Sequence, residues 1–126
     1  MKEIEFLNID LDIESNQDLS EIVAGFGDRV VVQRNERVGG VNHASFSTGY
    51  SEENEIIQEY CALVNGLKPV AREVWDNCAK RVFDIGYESG ETPNNFHSEI
   101  KAGSIEALAK IGGSVIVTIY PLAKDN

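Results

Sequence analysis

Two aspartates separated by a single residue are the clearest chemical signal in the chain. Asp10 and Asp12 flank Leu11 in a segment that alternates polar and apolar residues, so both carboxylates project from one face of a strand. Such a pair can bind a divalent cation or act as general acid and base, which makes a metal-dependent hydrolase one candidate activity. Solvated carboxylates on an open sheet face are the commoner origin of this pattern. We therefore expect a non-catalytic protein.

The remaining reactive residue types lack the spacing that a known site would need. His43 and His97 have no partner at metal-ligand spacing, and Cys61 and Cys78 do not form a CxxC motif. Gly39-Gly40 is not followed by the Lys-Ser/Thr of a phosphate-binding loop. We expect neither a metal nor a cofactor.

A group of hydroxyl residues near His43 offers a weak nucleophile hypothesis. Ser45, Ser47 and Thr48 follow the histidine closely, but no nucleophile-elbow sequence surrounds them. We interpret them as polar surface residues of a strand. The sequence therefore contains no recognisable catalytic motif.

The balance of charge limits the classes of partner. Among 126 residues, 11 Lys and Arg stand against 21 Asp and Glu, a formal net charge of -10. This excess repels nucleic acid and anionic lipid and favours a neutral or basic partner, although acidity also serves solubility. With 42% hydrophobic residues the chain is long enough for one core, and we predict a single domain over residues 1–126.

The location of the protein is predicted from what the N-terminus and the apolar runs contain. No apolar run approaches the roughly 20 residues of a membrane span, and Met1 to Glu5 is acidic, unlike the start of a signal peptide. We expect a cytoplasmic protein with Cys61 and Cys78 as buried, reduced thiols. A redox pair is the alternative if their two helices face each other.

The first half of the chain predicts a strand, a short helix and a hairpin of two strands. Leu7, Ile9, Leu11 and Ile13 alternate with polar residues and indicate a half-buried strand. A short helix follows, capped by Asn16 or Asp18 and closed by Gly27, with a buried stripe of Leu19, Ile22, Val23 and Phe26. We predict a strand over Arg29 to Gln33, a turn at Arg34 to Arg37, and a strand over Val38 to Phe46 with a bulge at Gly39-Gly40.

The second half predicts a helical pair and then a strand, a helix and a strand. The first helix begins at Ser51-Glu52-Glu53 and ends near Gly66, and the second begins at Pro69 with Val70, Val74, Cys78 and Trp75 directed inward. Strands follow over Val82 to Glu88 and Ser114 to Tyr120, separated by a helix over Ser104 to Ile111. The order βαββααβαβ indicates an α+β fold, a mixed or antiparallel sheet of four to five strands with helices mainly on one face.

One family shares this arrangement. The helical pair after Gly49-Tyr50, the strand Val82 to Glu88, and Gly103-Ser104-Ile105-Glu106-Ala107-Leu108-Ala109-Lys110-Ile111-Gly112-Gly113 running into Val115 to Tyr120 resemble the bacterial domain of unknown function 4279. The tryptophan expected before the helical pair is absent, and Phe46 or Tyr50 stands there. The resemblance implies an α+β fold and supplies no site residues, because the family has no settled activity.

The distribution of carboxylates gives the leading functional hypothesis. If the two strands that carry them are neighbours, five acids share one sheet face, namely Asp10, Asp12, Glu14, Asp84 and Glu88. A face of this kind suits a basic protein partner. By analogy with acidic immunity proteins of contact-dependent inhibition, we expect an immunity or antitoxin-type inhibitor of a basic, nuclease-like bacterial toxin domain. The alternative is a regulatory domain that binds a small molecule or peptide between the helical pair and the loop Ser89 to Phe96.

Overall fold

A five-stranded sheet with the strand order β2-β3-β1-β4-β5 forms one layer of the protein. The computed structural model describes residues 1–122. The strands are β1 (Glu5–Ser15), β2 (Val31–Val38), β3 (Val41–Ser47), β4 (Lys80–Glu88) and β5 (Ser114–Tyr120). The helices are α1 (Ser20–Phe26), followed by a 3-10 turn (Gly27–Arg29), α2 (Glu53–Asn65), α3 (Pro69–Asp76) and α4 (Ala102–Lys110). The predicted α+β class and the element order are confirmed.

The first strand of the chain lies at the centre of the sheet. β1 pairs antiparallel with β3 on one side and with β4 on the other, while β2 extends β3 as an antiparallel edge. β5 pairs parallel with β4, which requires a connection that crosses the sheet, and α4 lies within that connection. The two edges of the sheet are therefore β2 and β5.

One face of β1 supplies the core, although its first apolar residue does not. Ile9, Leu11 and Ile13 are fully buried against residues of the helices, as the alternation predicts. Leu7 was expected beside them but is 46% exposed, because the pairing with β4 shifts register between Phe6 and Asn8. A bulge inserts one residue and reverses the faces beyond it.

The predicted turn at Arg34 to Arg37 is wrong. Those residues lie within β2, and the chain reverses instead at Gly39 and Gly40, between the paired residues Val38 and Val41. Both glycines have positive φ, 59° and 81°, the backbone of the two-residue turn that matches strand twist. The polar residues of β2 misled the prediction, since an exposed edge strand needs no apolar alternation.

Helix α2 begins as its acidic start predicts. The Glu52 side chain caps the helix by accepting hydrogen bonds from the backbone N–H groups of Asn54 and Glu55. Tyr60 projects from the middle of α2 to the core-facing side of the sheet. Its hydroxyl donates there to the carbonyl oxygens of Ile9, at 3.2 Å, and Phe46, at 3.0 Å. This side chain ties α2 to the strands β1 and β3.

Helix α3 departs from the prediction at Val70, and α4 departs from it in where it begins. In α3 the buried residues are Ala71 and Trp75, whereas Val70, expected inside, is 64% exposed. Helix α4 begins at Ala102, two residues before the predicted start at Ser104, and Ser104 is buried within it while Ile105 is exposed. Trp75 faces inward as predicted. Its indole Nε1 also donates to the carbonyl oxygen of Ile111 at 2.8 Å and so connects α3 to the end of α4.

The two cysteines are buried and free, in agreement with the prediction of unpaired thiols. Burial raises the pKa of the Cys61 and Cys78 thiols to about 11, which keeps both groups in the unreactive protonated form at neutral pH. Of the helices within residues 1–122, none has the length and apolar content needed to cross a bilayer.

Candidate functional site

Three aspartates meet at the centre of the sheet face opposite the core. Asp10 and Asp12 project from β1 on the side away from Ile9 and Leu11, and Asp84 of β4 stands directly opposite Asp10 in the antiparallel register. Directly opposed side chains lie about 5 Å apart at Cβ, where like charges repel. We call Asp10, Asp12 and Asp84 the carboxylate cluster.

Short polar side chains donate a hydrogen bond to each member of the cluster, from a neighbouring strand for Asp12 and Asp84 and from β1 itself for Asp10. The Ser45 hydroxyl on β3 donates to Asp12 Oδ1 at 2.6 Å, and the Thr118 hydroxyl on β5 donates to Asp84 Oδ1 at 2.7 Å. Asp10 accepts only a longer bond, 3.2 Å from Asn8 Nδ2. Hydrogen bonds from hydroxyl groups stabilise ionised carboxylates, so Asp10 is the least supported of the three.

No cationic side chain within residues 1–122 lies within 4 Å of any carboxylate of the cluster. The protonation of Asp10 is affected by this lack of nearby cations. Burial, together with the charges of Asp12 and Asp84, raises the pKa of the Asp10 carboxyl above its usual value. The cluster therefore holds negative charge that the described part of the chain leaves uncompensated.

The other two predicted site residues are paired: Glu14 lies near the end of β1, and Glu88 lies at the end of β4, opposite the start of β1. Glu14 Oε1 is 3.2 Å from His43 Nδ1 and 3.9 Å from Lys80 Nζ, and Glu88 pairs with Lys2. Beside Glu14 a shallow polar depression of about 140 Å³ also includes Arg34. The five predicted acids thus share one sheet face, but only three of them form a compact and purely acidic group.

The nucleophile and metal hypotheses gain no support from the geometry. Ser45 donates to Asp12, while His43 contacts Glu14, and within residues 1–122 no hydrogen bond joins the serine to the histidine. The same part of the chain contains no group of three or more His, Cys, Asp or Glu side chains placed to hold a metal ion. Sequence reasoning missed Ser45 and Thr118 as partners of the cluster, because only the strand register brings them beside it.

The loop after β4 contributes to a separate apolar groove. A space of about 390 Å³ lies between this loop, β4 and β5, and its lining includes Tyr87, Phe96, Val117 and Ile119. The sequence placed the pocket of the alternative hypothesis between this loop and the helical pair. The groove that the structure contains lies against the sheet edge.

Known proteins provide no further guide to the site. No family model, no curated protein and no solved structure matches the chain. The resemblance to the domain of unknown function 4279 therefore stays a prediction from the sequence alone.

A change at Asp10 tests the electrostatics of the cluster. The pKa of the Asp10 carboxyl is raised in the folded state, so the native protein binds the proton of this carboxyl more tightly than the unfolded chain does. The free energy of unfolding therefore falls as the pH rises from the unfolded-state pKa through the raised value. We expect Asp10→Asn to be more stable than the parent at pH 7, by up to roughly 0.5 kcal/mol since the group is partly exposed.

The advantage should disappear in acid, where the parent carboxyl is protonated as well. Urea denaturation of both proteins at pH 7 and at about pH 3 measures it. Asp28→Asn, in the exposed 3-10 turn, is the matched control, because it removes one carboxylate outside the cluster. An equal or lower stability of Asp10→Asn at pH 7 would show that the opposed carboxylates do not repel appreciably.

Proposed function

We propose that this protein is a non-catalytic binding protein whose open sheet face recognises a basic protein partner. The observation that supports this most directly is the uncompensated carboxylate cluster at the centre of that face. Opposed carboxylates destabilise a free sheet, so a cationic partner gains from relief of their repulsion as well as from direct pairing. Lysine and arginine side chains can approach because Asp10, Asp12 and Asp84 are only partly buried.

The partner class that best fits this surface is a basic, nuclease-like bacterial toxin domain, with the protein acting as an immunity or antitoxin-type inhibitor. Nuclease domains that bind a polyanion carry basic surfaces, and an acidic sheet face can occupy such a surface in place of nucleic acid. The net charge of -10 adds a long-range attraction to the same class of partner. Inhibition then requires only that the basic surface be covered, and no chemical step.

Glu14 and Glu88 should contribute less to partner binding than the carboxylate cluster does. Each already has a cation beside it, Lys80 near Glu14 and Lys2 near Glu88, and Glu14 also contacts His43. Because these contacts already partly neutralise the two glutamates, they have less uncompensated charge for a partner than the cluster has. We therefore assign the main contribution to the carboxylate cluster, with the two glutamates at the rim.

Charge reversal within the cluster tests the proposal. A panel of purified basic ribonuclease and deoxyribonuclease domains is immobilised, and association of the parent and of Asp12→Lys with Asp84→Lys is measured at low and at physiological ionic strength. We expect at least one domain to bind the parent with a rate that falls with salt. The double reversal should lower that rate by roughly 10-fold or more.

A matched double reversal on the helical layer separates the face from net charge. Glu21→Lys with Glu73→Lys changes the total charge equally, at two exposed positions of α1 and α3. It should reduce association only modestly. If both double variants slow binding equally, or if the panel contains no binder, the open sheet face is not the recognition surface for this class of partner.

A further inference from the structure

The edge strand β5 exposes an unusual run of apolar side chains. Val115, Ile116, Val117, Ile119 and Tyr120 are each between 46% and 62% exposed, and the strand contains no charged residue. Its pairing with β4 is regular along all its residues, without a bulge. Natural edge strands are usually protected by charges, proline or bulges, because a free, flat, apolar edge pairs with another strand.

The opposite edge carries the protection that β5 lacks. β2 includes Arg34, Glu36 and Arg37, and its register with β3 shifts between Val32 and Arg34. Both strands are exposed edges of the same sheet, yet only β2 has charged residues and a bulge. The lack of both at β5 is therefore specific to that strand. It singles out β5 as the edge that accepts a further strand.

The free backbone groups of β5 are spaced for antiparallel pairing with an identical strand. The carbonyl oxygen of Tyr120 accepts from Ser89 N and so points toward β4. Since successive residues of a strand alternate in the direction of their N–H and C=O groups, those of Val115, Val117 and Ile119 point to the free edge. An antiparallel copy centred on Val117 places Val117 opposite its own equivalent and Val115 opposite Ile119, giving about six backbone hydrogen bonds.

Charge also favours this antiparallel arrangement. Beside the start of β5, Arg81 donates to the carbonyl oxygen of Gly112, and no carboxylate within residues 1–122 lies within 4 Å of it. Beside its end, Glu88 pairs with the Lys2 ammonium group, and Glu91 accepts from the backbone N–H of Lys2 and has no cation within 4 Å among residues 1–122. Antiparallel pairing brings the positive end of one strand to the negative end of the other, whereas parallel pairing would bring like ends together.

We propose that β5 is a homodimer interface, through which two copies of this chain form a continuous ten-stranded sheet about a two-fold axis at Val117. The occupant that best fits is a second copy because the edge is self-complementary in its backbone groups and in its end charges. The uncharged strand is also where two chains of net charge -10 approach with least repulsion. The apolar groove beside β5 is partly closed by the partner's Val115 and Ile119 in this arrangement.

Sedimentation of the parent over a range of concentrations gives the first test. Because two joined strand edges bury less than the roughly 1,600 Å² of a standard interface, we expect a monomer–dimer equilibrium with Kd on the order of 10 μM. A parent that stays monomeric up to about 0.5 mM would overturn the proposal and would leave β5 to an extended segment of a different protein. Growth beyond a dimer would overturn the closed two-fold pairing.

Two matched pairs of variants locate the axis. Val117→Lys places like charges directly opposite each other and should raise the Kd at least about 10-fold, while Val31→Lys, at an equally exposed position of β2, should leave it unchanged. Val117→Cys should form an intermolecular disulfide on oxidation, since opposed Cα atoms lie about 5.5 Å apart, and Val31→Cys should not. A larger rise in Kd for Val31→Lys than for Val117→Lys, or a disulfide in Val31→Cys and none in Val117→Cys, would place the interface at β2 and refute the proposed interface at β5.

Discussion

Replacing Trp75 by alanine is expected to remove about 3–5 kcal/mol from the free energy of unfolding. The indole is fully buried, packs edge-on against Phe26, and donates to Ile111 at the end of α4. Alanine leaves a cavity between α1 and α3 and an unpaired carbonyl oxygen, and the two effects add. Since small domains are stable by only about 5–15 kcal/mol, this loss is a large part of the whole.

Urea denaturation followed by circular dichroism measures the effect, because the substitution removes the chain's one tryptophan and its fluorescence. Val70→Ala is the control on the same helix. Its side chain is 64% exposed, so we expect a change within about 0.5 kcal/mol. A loss at Val70 comparable with that at Trp75 would mean that α3 packs with the face that its sequence pattern first indicated.

Removing the hydroxyl of Tyr60 is expected to lower the free energy of unfolding by about 1–3 kcal/mol. That hydroxyl is buried and donates to backbone carbonyl oxygens of both β1 and β3, and the ring packs edge-on against Phe83 of β4. Tyr60→Phe keeps the ring and its contact but removes the one donor that joins α2 to two strands. Burial raises the pKa of this phenol, so it remains a donor throughout the neutral range.

Tyr50→Phe provides the comparison, since Tyr50 is half exposed and should change stability little. Thermal denaturation of the two variants beside the parent gives the result. If Tyr60→Phe unfolds at the parent temperature, the strand ladder alone satisfies both carbonyl groups and the hydroxyl is dispensable.

The sequence predicted the fold well wherever the periodicity was strong. The alternation of β1 from Ile9 onward, the capped start of α2 and the β-branched run of β5 each lie where their patterns place them. The prediction failed at β2, because exposed polar residues resemble a turn although Gly39-Gly40 supplied the stronger hairpin signal. It also failed at Leu7 and Val70, where a bulge and the orientation of α3 decide which side chains face inward.

The candidate site was predictable only in part. Alternation placed Asp10, Asp12 and Asp84 on the outer face, and they lie together because β1 and β4 are neighbouring strands. The hydroxyl groups of Ser45 and Thr118 come from strands far away in sequence, so no local pattern could connect them with the acids. The unprotected edge at β5 equally depends on strand order, which the sequence did not determine.

The central position of β1 has a consequence for how the chain folds during synthesis. β1 is made first, and its partner β3 follows after one helix and one strand, so three strands can assemble early. The other side of β1 must wait for β4, which is made only after α2 and α3, and closing so long a loop is entropically unfavourable. Until then the middle strand is itself a bare edge, and we infer that docking of β4 is the slow step that completes the domain.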